Sequence, residues 1–229
     1  MISDTARVLD RQVAAIVWRT FGQDRLEAMA RVSAVPVINA LTNEFHPCQV
    51  LADLLTIKER RGSLRGVTLT YLGDGGNNMA HSYLIGCALA GMNIRIAAPR
   101  RFGPAKDVVQ QAERIALSAG GSVLVSDDPE TAAGSDVLAT DTWMSIGQPE
   151  DEEEIRAKIF KPYAIEPDTL RGAAPHPIVL HCLPAYRGKE IAAEVIDGPH
   201  AAVWDEAENR LHVQKALLVF LLAKMRRRA

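Results

Sequence analysis

Several short stretches of this sequence carry residues that could do chemistry. In Ile178-Val179-Leu180-His181-Cys182-Leu183-Pro184, an apolar run ends in an imidazole and a thiol. Two β-branched residues in a short apolar run mark a strand covered on both faces, and Pro184 stops it. His181 and Cys182 then sit at the carboxyl end of a parallel strand, the edge where open α/β sheets bind ligands. The competing reading is a core histidine beside a buried thiol. Cys182 as a covalent nucleophile lacks an obvious base, because neighbouring strand residues face opposite ways. A metal at His176, His181 and Cys182 would need a further ligand pair at zinc spacing, and none follows.

Leu72-Gly73-Asp74-Gly75-Gly76-Asn77-Asn78 reads as a strand end opening a helix. Glycines there let the backbone approach a ligand, and a helix N-terminus favours an anion. A dinucleotide fingerprint would need a third glycine where Asn78 stands and an acid after the next strand, which instead ends Ala97-Ala98-Pro99-Arg100. Two adjacent asparagines suit a small polar ligand, or simply a helix cap. Asp141-Thr142-Trp143-Met144-Ser145-Ile146 follows another strand; Asp141 could pair with an ammonium and Ser145 could hydrogen-bond. Asp, Asn and Ser at neighbouring strand ends resemble a clamp for the charged groups of an amino acid. Earlier in the chain, Arg19 ends a strand, and His46 and Gln49 share one face of a helix start. Arginine, imidazole and amide together could receive a phosphate and a polarised carbonyl, although a cap is the ordinary role of a histidine before a helix.

The elements that must hold these groups form a βα alternation. A short helix to about Leu9, a buried strand over 13–18, a helix over 24–33 with Leu26, Met29 and Ala30 inward, and a strand over 35–39 come first. Pro47 starts a helix to about Arg61, whose period is given by Val50, Leu51, Leu54, Leu55 and Lys58. Gly62 to Gly66 reads as a boundary. Strands are then expected at 67–72, 93–98, 122–126, 136–140 and 178–181, with a weaker one at 201–204. Helices are expected near 77–90, 104–118, 151–160, 188–196 and 206–226. The fold class is α/β, a doubly wound parallel sheet plus an incomplete second α/β unit. In the last helix Val213, Ala216, Leu217, Phe220 and Leu221 form one face, and Leu218, Val219 and Leu222 make it apolar nearly all round. Burial on several sides is expected.

A net charge of −2 with 24% charged residues argues against an electrostatic nucleic-acid or membrane binder. Three scattered cysteines fit a reducing compartment. No secretory leader or long apolar span is expected, so cytoplasmic location is the default.

Taken together, Phe45-His46-Pro47-Cys48-Gln49, the Gly-Asp-Gly…Asn-Asn stretch, Asp141-Thr142-Trp143…Ser145, His181-Cys182-Leu183-Pro184 and Asp205-Glu206-Ala207-Glu208-Asn209-Arg210 resemble the aspartate/ornithine carbamoyltransferase family, on its ornithine side. The resemblance runs from about Asp4 to the last helix. It implies a carbamoyl-phosphate-binding domain at 1–62 and 206–229 and an ornithine-binding domain at 63–205. Arg19, His46, Gln49, Cys182, Leu183 and Arg210 would contact carbamoyl phosphate, with His46, Cys182 and Arg210 catalytic. Asn78, Asp141, Ser145 and Ile146 would contact ornithine; the family usually has methionine at the Ile146 position. The implied partners are carbamoyl phosphate and L-ornithine, with no cofactor and no metal, in a homotrimer if the first domain is complete. The implied reaction gives citrulline and phosphate. The family's phosphate-cradling Ser-x-Arg-Thr-Arg loop is not found in these 229 residues. Little transferase activity is therefore expected of this chain, and a tendency to associate is expected because the helix over 213–222, with a thin partner, would expose a large apolar surface. The alternatives are a remnant that only binds an amino acid or a partner, and a carbamoyltransferase acting on putrescine or another amine.

Overall fold

Two parallel sheets divide the work. The computed structural model describes residues 1–144 and 153–226. The first part holds α1 (Ile2–Leu9), β1 (Ile16–Arg19), α2 (Gln23–Val32), β2 (Val37–Leu41) and α3 (Pro47–Arg61). β1 and β2 pair in parallel as a small two-stranded sheet. Its core is thin: Ala6, Ile16 and Met29 are buried, with Ile2, Leu9, Trp18, Val35 and Val37 against them. The first strand is shorter than the expected 13–18 and is covered on one face only, so Val17 is 60% exposed. Ala30 on α2 also faces out, as do Leu51 and Lys58 on α3. The face that α3 buries is partly polar, with Gln49, Asp53 and Thr56 alongside Ala52 and Ile57. An apolar period could not have found it.

The second part follows the expected alternation closely. It runs β3 (Thr68–Leu72), α4 (Asn78–Leu89), β4 (Asn93–Ala97), α5 (Lys106–Ala119), β5 (Ser122–Ser126), β6 (Val137–Thr140), α6 (Glu153–Phe160), α7 (Pro167–Gly172), β7 (Ile178–His181), α8 (Ala193–Ile196) and α9 (Val203–Arg226). The sheet order is β5-β4-β3-β6-β7, with all pairs parallel. The chain steps outward from β3 to β5, then returns to the other side of β3. That reversal between β3 and β6 is the place where a doubly wound sheet opens a crevice at its carboxyl edge. Apolar layers cover both faces. Tyr71, Met79, Tyr83, Leu84 and Ile96 lie in one, and Leu72, Leu138, Val179, Ile191 and Val203 in the other.

Several expectations fail here for identifiable reasons. No strand forms over 201–204: Ala201 makes a single bridge to Val179, and α9 has begun by Val203. The helix expected over 188–196 shrinks to Ala193–Ile196. Residues 151 and 152, at the start of the expected 151–160 helix, lie outside the described residues. The last helix is not buried on several sides; as expected of a helix with so thin a partner, it leaves apolar surface exposed. Leu211, Val219 and Phe220 are 68%, 62% and 55% exposed, because α9 is packed on α3 near its start and projects beyond it.

Burial predicts a sharp contrast in stability. Leu138→Ala on the interior strand β6, fully buried, should cost about 2–5 kcal/mol in urea unfolding. Leu211→Ala on the exposed face should stay within about 0.5 kcal/mol.

Candidate active site

The carboxyl ends of β3, β6 and β7 are neighbours, and they meet on Asp141. Its Oδ1 accepts from the Thr142 N–H at 2.7 Å and from the Cys182 thiol at 3.2 Å. Its Oδ2 accepts from the Asn77 amide at 3.3 Å. Asn77 serves twice, since its Oδ1 also caps α4 by accepting from Ala80 N–H at 2.9 Å. Burial pushes the Asp141 carboxyl upward, and among the described residues no Lys or Arg pairs with it. The loop before α4 is shaped by packing. A Cβ on Gly75 would stand 2.9 Å from both the Ala98 Cβ and the Phe102 carbonyl oxygen, so this glycine serves the fold where ligand approach was expected. Asp74 in that loop forms a buried ion pair with Arg156, and the Arg156 Nε donates to the Trp143 carbonyl at 2.6 Å.

After β7 the chain turns sharply at Leu183, whose φ of 57° is uncommon for leucine. The Leu183 N–H donates to His181 Nδ1 at 2.9 Å, which leaves the ring proton on Nε2, 3.1 Å from Glu190 Oε1. His181 is thus a buried strut, as the core reading had it, while Cys182 points to the crevice. Burial and the nearby Asp141 and Glu206 carboxyls hold the Cys182 thiol well above its ordinary range. It is a hydrogen-bond donor and a poor nucleophile. Donor atoms of Asp141, His181 and Cys182 lie within 4.8 Å of one another. Both His181 ring nitrogens are engaged elsewhere, by Leu183 and Glu190, and the protonated thiol donates to Asp141.

Across the crevice stands His46, the residue before α3. Its backbone N–H donates to Ser82 Oγ at 2.7 Å, and Ser82 donates to the Asn78 carbonyl at 2.6 Å. Asn78 spends its own amide on the Thr42 carbonyl at 2.9 Å. α4 is thereby stitched to the loop that carries His46. The His46 ring is buried, its Nδ1 has no partner, and its pKa falls to about 4 through burial and the charges of Arg210 and Arg19. Among the described residues neither arginine is in an ion pair with a carboxylate. Behind His46, the Gln49 amide nitrogen donates to Asp53 Oδ1 at 2.9 Å and to Glu206 Oε1 at 2.8 Å.

The expected residues therefore come together as two groups, Asp141 and Cys182 on one wall and Arg19, His46, Gln49 and Arg210 on the other. Ser145 and Ile146 lie outside the described residues. Asn77, which had been left with Asn78 as a possible cap, is the asparagine that reaches Asp141. The carboxyls of Asp53 and Glu206 were missed; their burial is invisible to a pattern that seeks apolar periods. A cavity of about 590 Å³ lies elsewhere, lined by residues including Leu170, Pro177 and His200 at the amino end of β7. Arg171 and His176 also line it, but none of the expected site residues does.

Family models divide the chain much as the two sheets do. Residues 1–59 match the "Aspartate/ornithine carbamoyltransferase, carbamoyl-P binding domain" and residues 65–221 the "Asp/Orn binding domain" of the same family. The chain belongs to the aspartate/ornithine carbamoyltransferase family. It is similar to the ornithine carbamoyltransferase of Renibacterium salmoninarum, at 63% identity over 97% of this chain and 72% of that one. Against the Mycobacterium ulcerans ornithine carbamoyltransferase the identity is 60%, over 98% and 73% of the two chains. The solved ornithine carbamoyltransferase of Pyrococcus furiosus superposes with a TM-score of 0.93 at 44% identity, covering 97% of this chain and 71% of that one. As a family member this chain is a carbamoyltransferase, and among its described residues no helix is long and apolar enough to cross a membrane.

Two measurements test this carbamoyltransferase's wall chemistry. Alkylation of Cys182 by iodoacetamide at about pH 8, followed by mass spectrometry, should run at least tenfold, roughly, below a free thiol. In an NMR titration His46 should stay neutral until near its value of about 4. Because its folded value lies below the unfolded one, His46 should lower stability as the pH falls from about 6.5 through that value.

Proposed function

We propose that the chain carries the site for carbamoyl transfer from carbamoyl phosphate to the side-chain amine of L-ornithine, giving citrulline and phosphate. The observation that carries this reading is a charge division across the crevice. Asp141 offers a carboxylate held by neutral donors only, and Arg19 and Arg210 lie near His46, neither paired with a carboxylate among the described residues. A carboxylate of that kind recruits a cation, and the arginines recruit an anion. An amino acid with a second amine and a phosphorylated carbonyl compound fit the two halves. The high identity to named ornithine carbamoyltransferases favours ornithine over putrescine as acceptor.

In this reading 1–62 with 206–229 forms the carbamoyl-phosphate unit, and 63–205 the ornithine unit. Asp141 takes an ornithine ammonium, with Asn78, Ser145 and Ile146 lining the same subsite. Arg19 and Arg210 hold the phosphate, and Cys182 and Leu183 close the reacting end. The neutral His46 ring donates toward the carbonyl oxygen, where charge grows as the amine attacks. The free Gln49 Oε1 accepts from the carbamoyl nitrogen. The C–N bond forms, the attacking amine gives up its proton, and the C–O bond to phosphate breaks. Alignment of two bound substrates supplies roughly 7–11 kcal/mol, so no covalent enzyme intermediate is required. Trimeric assembly and cytoplasmic location belong to the same proposal. A second reading, amino-acid binding without turnover, rests on the lack of a Ser-x-Arg-Thr-Arg stretch in these residues.

Citrulline formation by purified 1–229 separates the two readings. Slow turnover that His46→Ala lowers by a further factor of about 10²–10³ supports transfer. Ornithine binding with no citrulline supports the second reading. Asp141→Asn should weaken ornithine binding by roughly 30-fold or more in calorimetry; unchanged affinity would remove Asp141 from the site.

A further inference from the structure

Behind the catalytic wall lies a buried polar seam whose two carboxyl groups the proposed reaction does not use. α3 contributes Gln49 and Asp53, and α9 contributes Glu206; all three are essentially inaccessible to solvent, at 1%, 0% and 1% exposure. Two carboxyl groups so placed cannot both be ionised without a compensating cation. Among the described residues neither forms an ion pair. The groups that face them are Tyr83 and Cys87 on α4, Cys182 and the His181 backbone beyond β7, and Arg210 one helical turn along α9. Of these only Arg210 is a fixed cation.

The hydrogen bonds are unequal. Both Glu206 oxygens accept N–H groups, Oε1 from Gln49 at 2.8 Å and Oε2 from the His181 backbone at 2.9 Å. Asp53 accepts from Gln49 through Oδ1 at 2.9 Å, whereas its buried Oδ2 meets no donor. The orientation of the Gln49 amide follows directly. Its nitrogen must face the two carboxyls, since its oxygen there would oppose both. The Gln49 Oε1 is then left buried and without a donor of its own.

We propose that Asp53 and Glu206 hold one proton between them, and that the resulting single negative charge is a positioning device for Gln49 and for the His181 backbone. The proton resides on the Asp53 side, where an oxygen has no N–H to accept, and Glu206 takes the charge and its two N–H bonds. One carboxylate thus fixes, at once, the acceptor offered to the carbamoyl nitrogen and the strand end that carries Cys182. Burial pushes both carboxyls upward, and the neighbouring Asp53 raises Glu206 further, in keeping with a retained proton in the pair. The Gln49 part rests on the carbamoyl-phosphate reading above; the shared proton does not.

The asymmetry gives the test. An Asn at position 53 can accept from Gln49 through its oxygen and offer N–H where the proton stood. A Gln at position 206 cannot, because its amide nitrogen would confront either the Gln49 or the His181 N–H. Unfolding temperature is followed between about pH 6 and 9 for wild type, Asp53→Asn and Glu206→Gln, beside calorimetric titration with phosphonoacetamide, a stable analogue of carbamoyl phosphate. For a raised carboxyl the stability falls as the pH climbs toward the folded value. Wild type should show that alkaline fall, and Asp53→Asn should abolish it while keeping the probe affinity within about threefold. Glu206→Gln should lose at least about tenfold in affinity. An alkaline fall that persists unchanged in Asp53→Asn would overturn the shared proton, whether or not Glu206→Gln folds. Equal affinity in the two variants would overturn the positioning role. If wild type does not bind the probe at all, the carbamoyl-phosphate reading fails with the Gln49 role, and the temperature profiles still decide the proton.

Discussion

The reversal of strand order between β3 and β6 is the constraint on which the site depends. A parallel sheet sends all its strand ends to one edge, but only at the reversal do the connecting segments diverge and leave the edge open. Asp141 ends β6 at that point. Its two oxygens can therefore reach Asn77 beyond β3 and Cys182 beyond β7. A one-place change in strand order would separate these donors by a strand width of about 4.8 Å, further than a hydrogen bond reaches. Topology, not sequence proximity, makes a cluster of residues that lie 41 and 64 positions apart.

The second constraint is electrostatic. One wall carries a carboxylate supported by neutral donors, the other two arginines that have no carboxylate partner among the described residues. Either arrangement alone would oppose folding, since unpaired charge near a buried surface loses solvation. Their persistence in one crevice makes sense when a ligand supplies the missing charge on each side. The seam behind Gln49 follows the same logic by another route. Where no ligand can reach, the chain limits its negative charge through the pairing of two carboxyls and spends the remaining charge on N–H groups.

Much of this was legible from residue types. Strands β6 and β7 declared themselves because both their faces are covered, so β-branched and apolar residues run through them, whereas the edge strand β5 keeps its apolar run although it is largely exposed. The strand ends declared themselves as polar clusters after those runs. What escaped had specific causes. α3 and α9 meet through Gln49, Asp53, Thr56, Glu206 and Asn209, and a buried polar contact leaves no apolar period. Ala216, Val219 and Phe220 on α9 read as core although they lie outward, because hydropathy reports what a side chain prefers and not whether a partner is present. Asn77 and Asn78 could not be ranked by type alone. A one-residue step along a helix start sends one amide toward Asp141 and the other toward Thr42.

His46 shows why the two walls need different chemistry. A lysine in its place would put a third cation beside Arg19 and Arg210, with little to repay its loss of hydration. An imidazole under the same pressure yields its charge instead, and its pKa falls to about 4. It keeps a donor N–H while adding no repulsion in the resting site. When negative charge grows on a carbonyl oxygen, that N–H and the arginines act in concert, and the interaction is strongest at the moment the charge is largest. In the proposed reaction the arginines would do double duty: they would hold the anion and, together with burial, they keep His46 neutral and so responsive to growing negative charge.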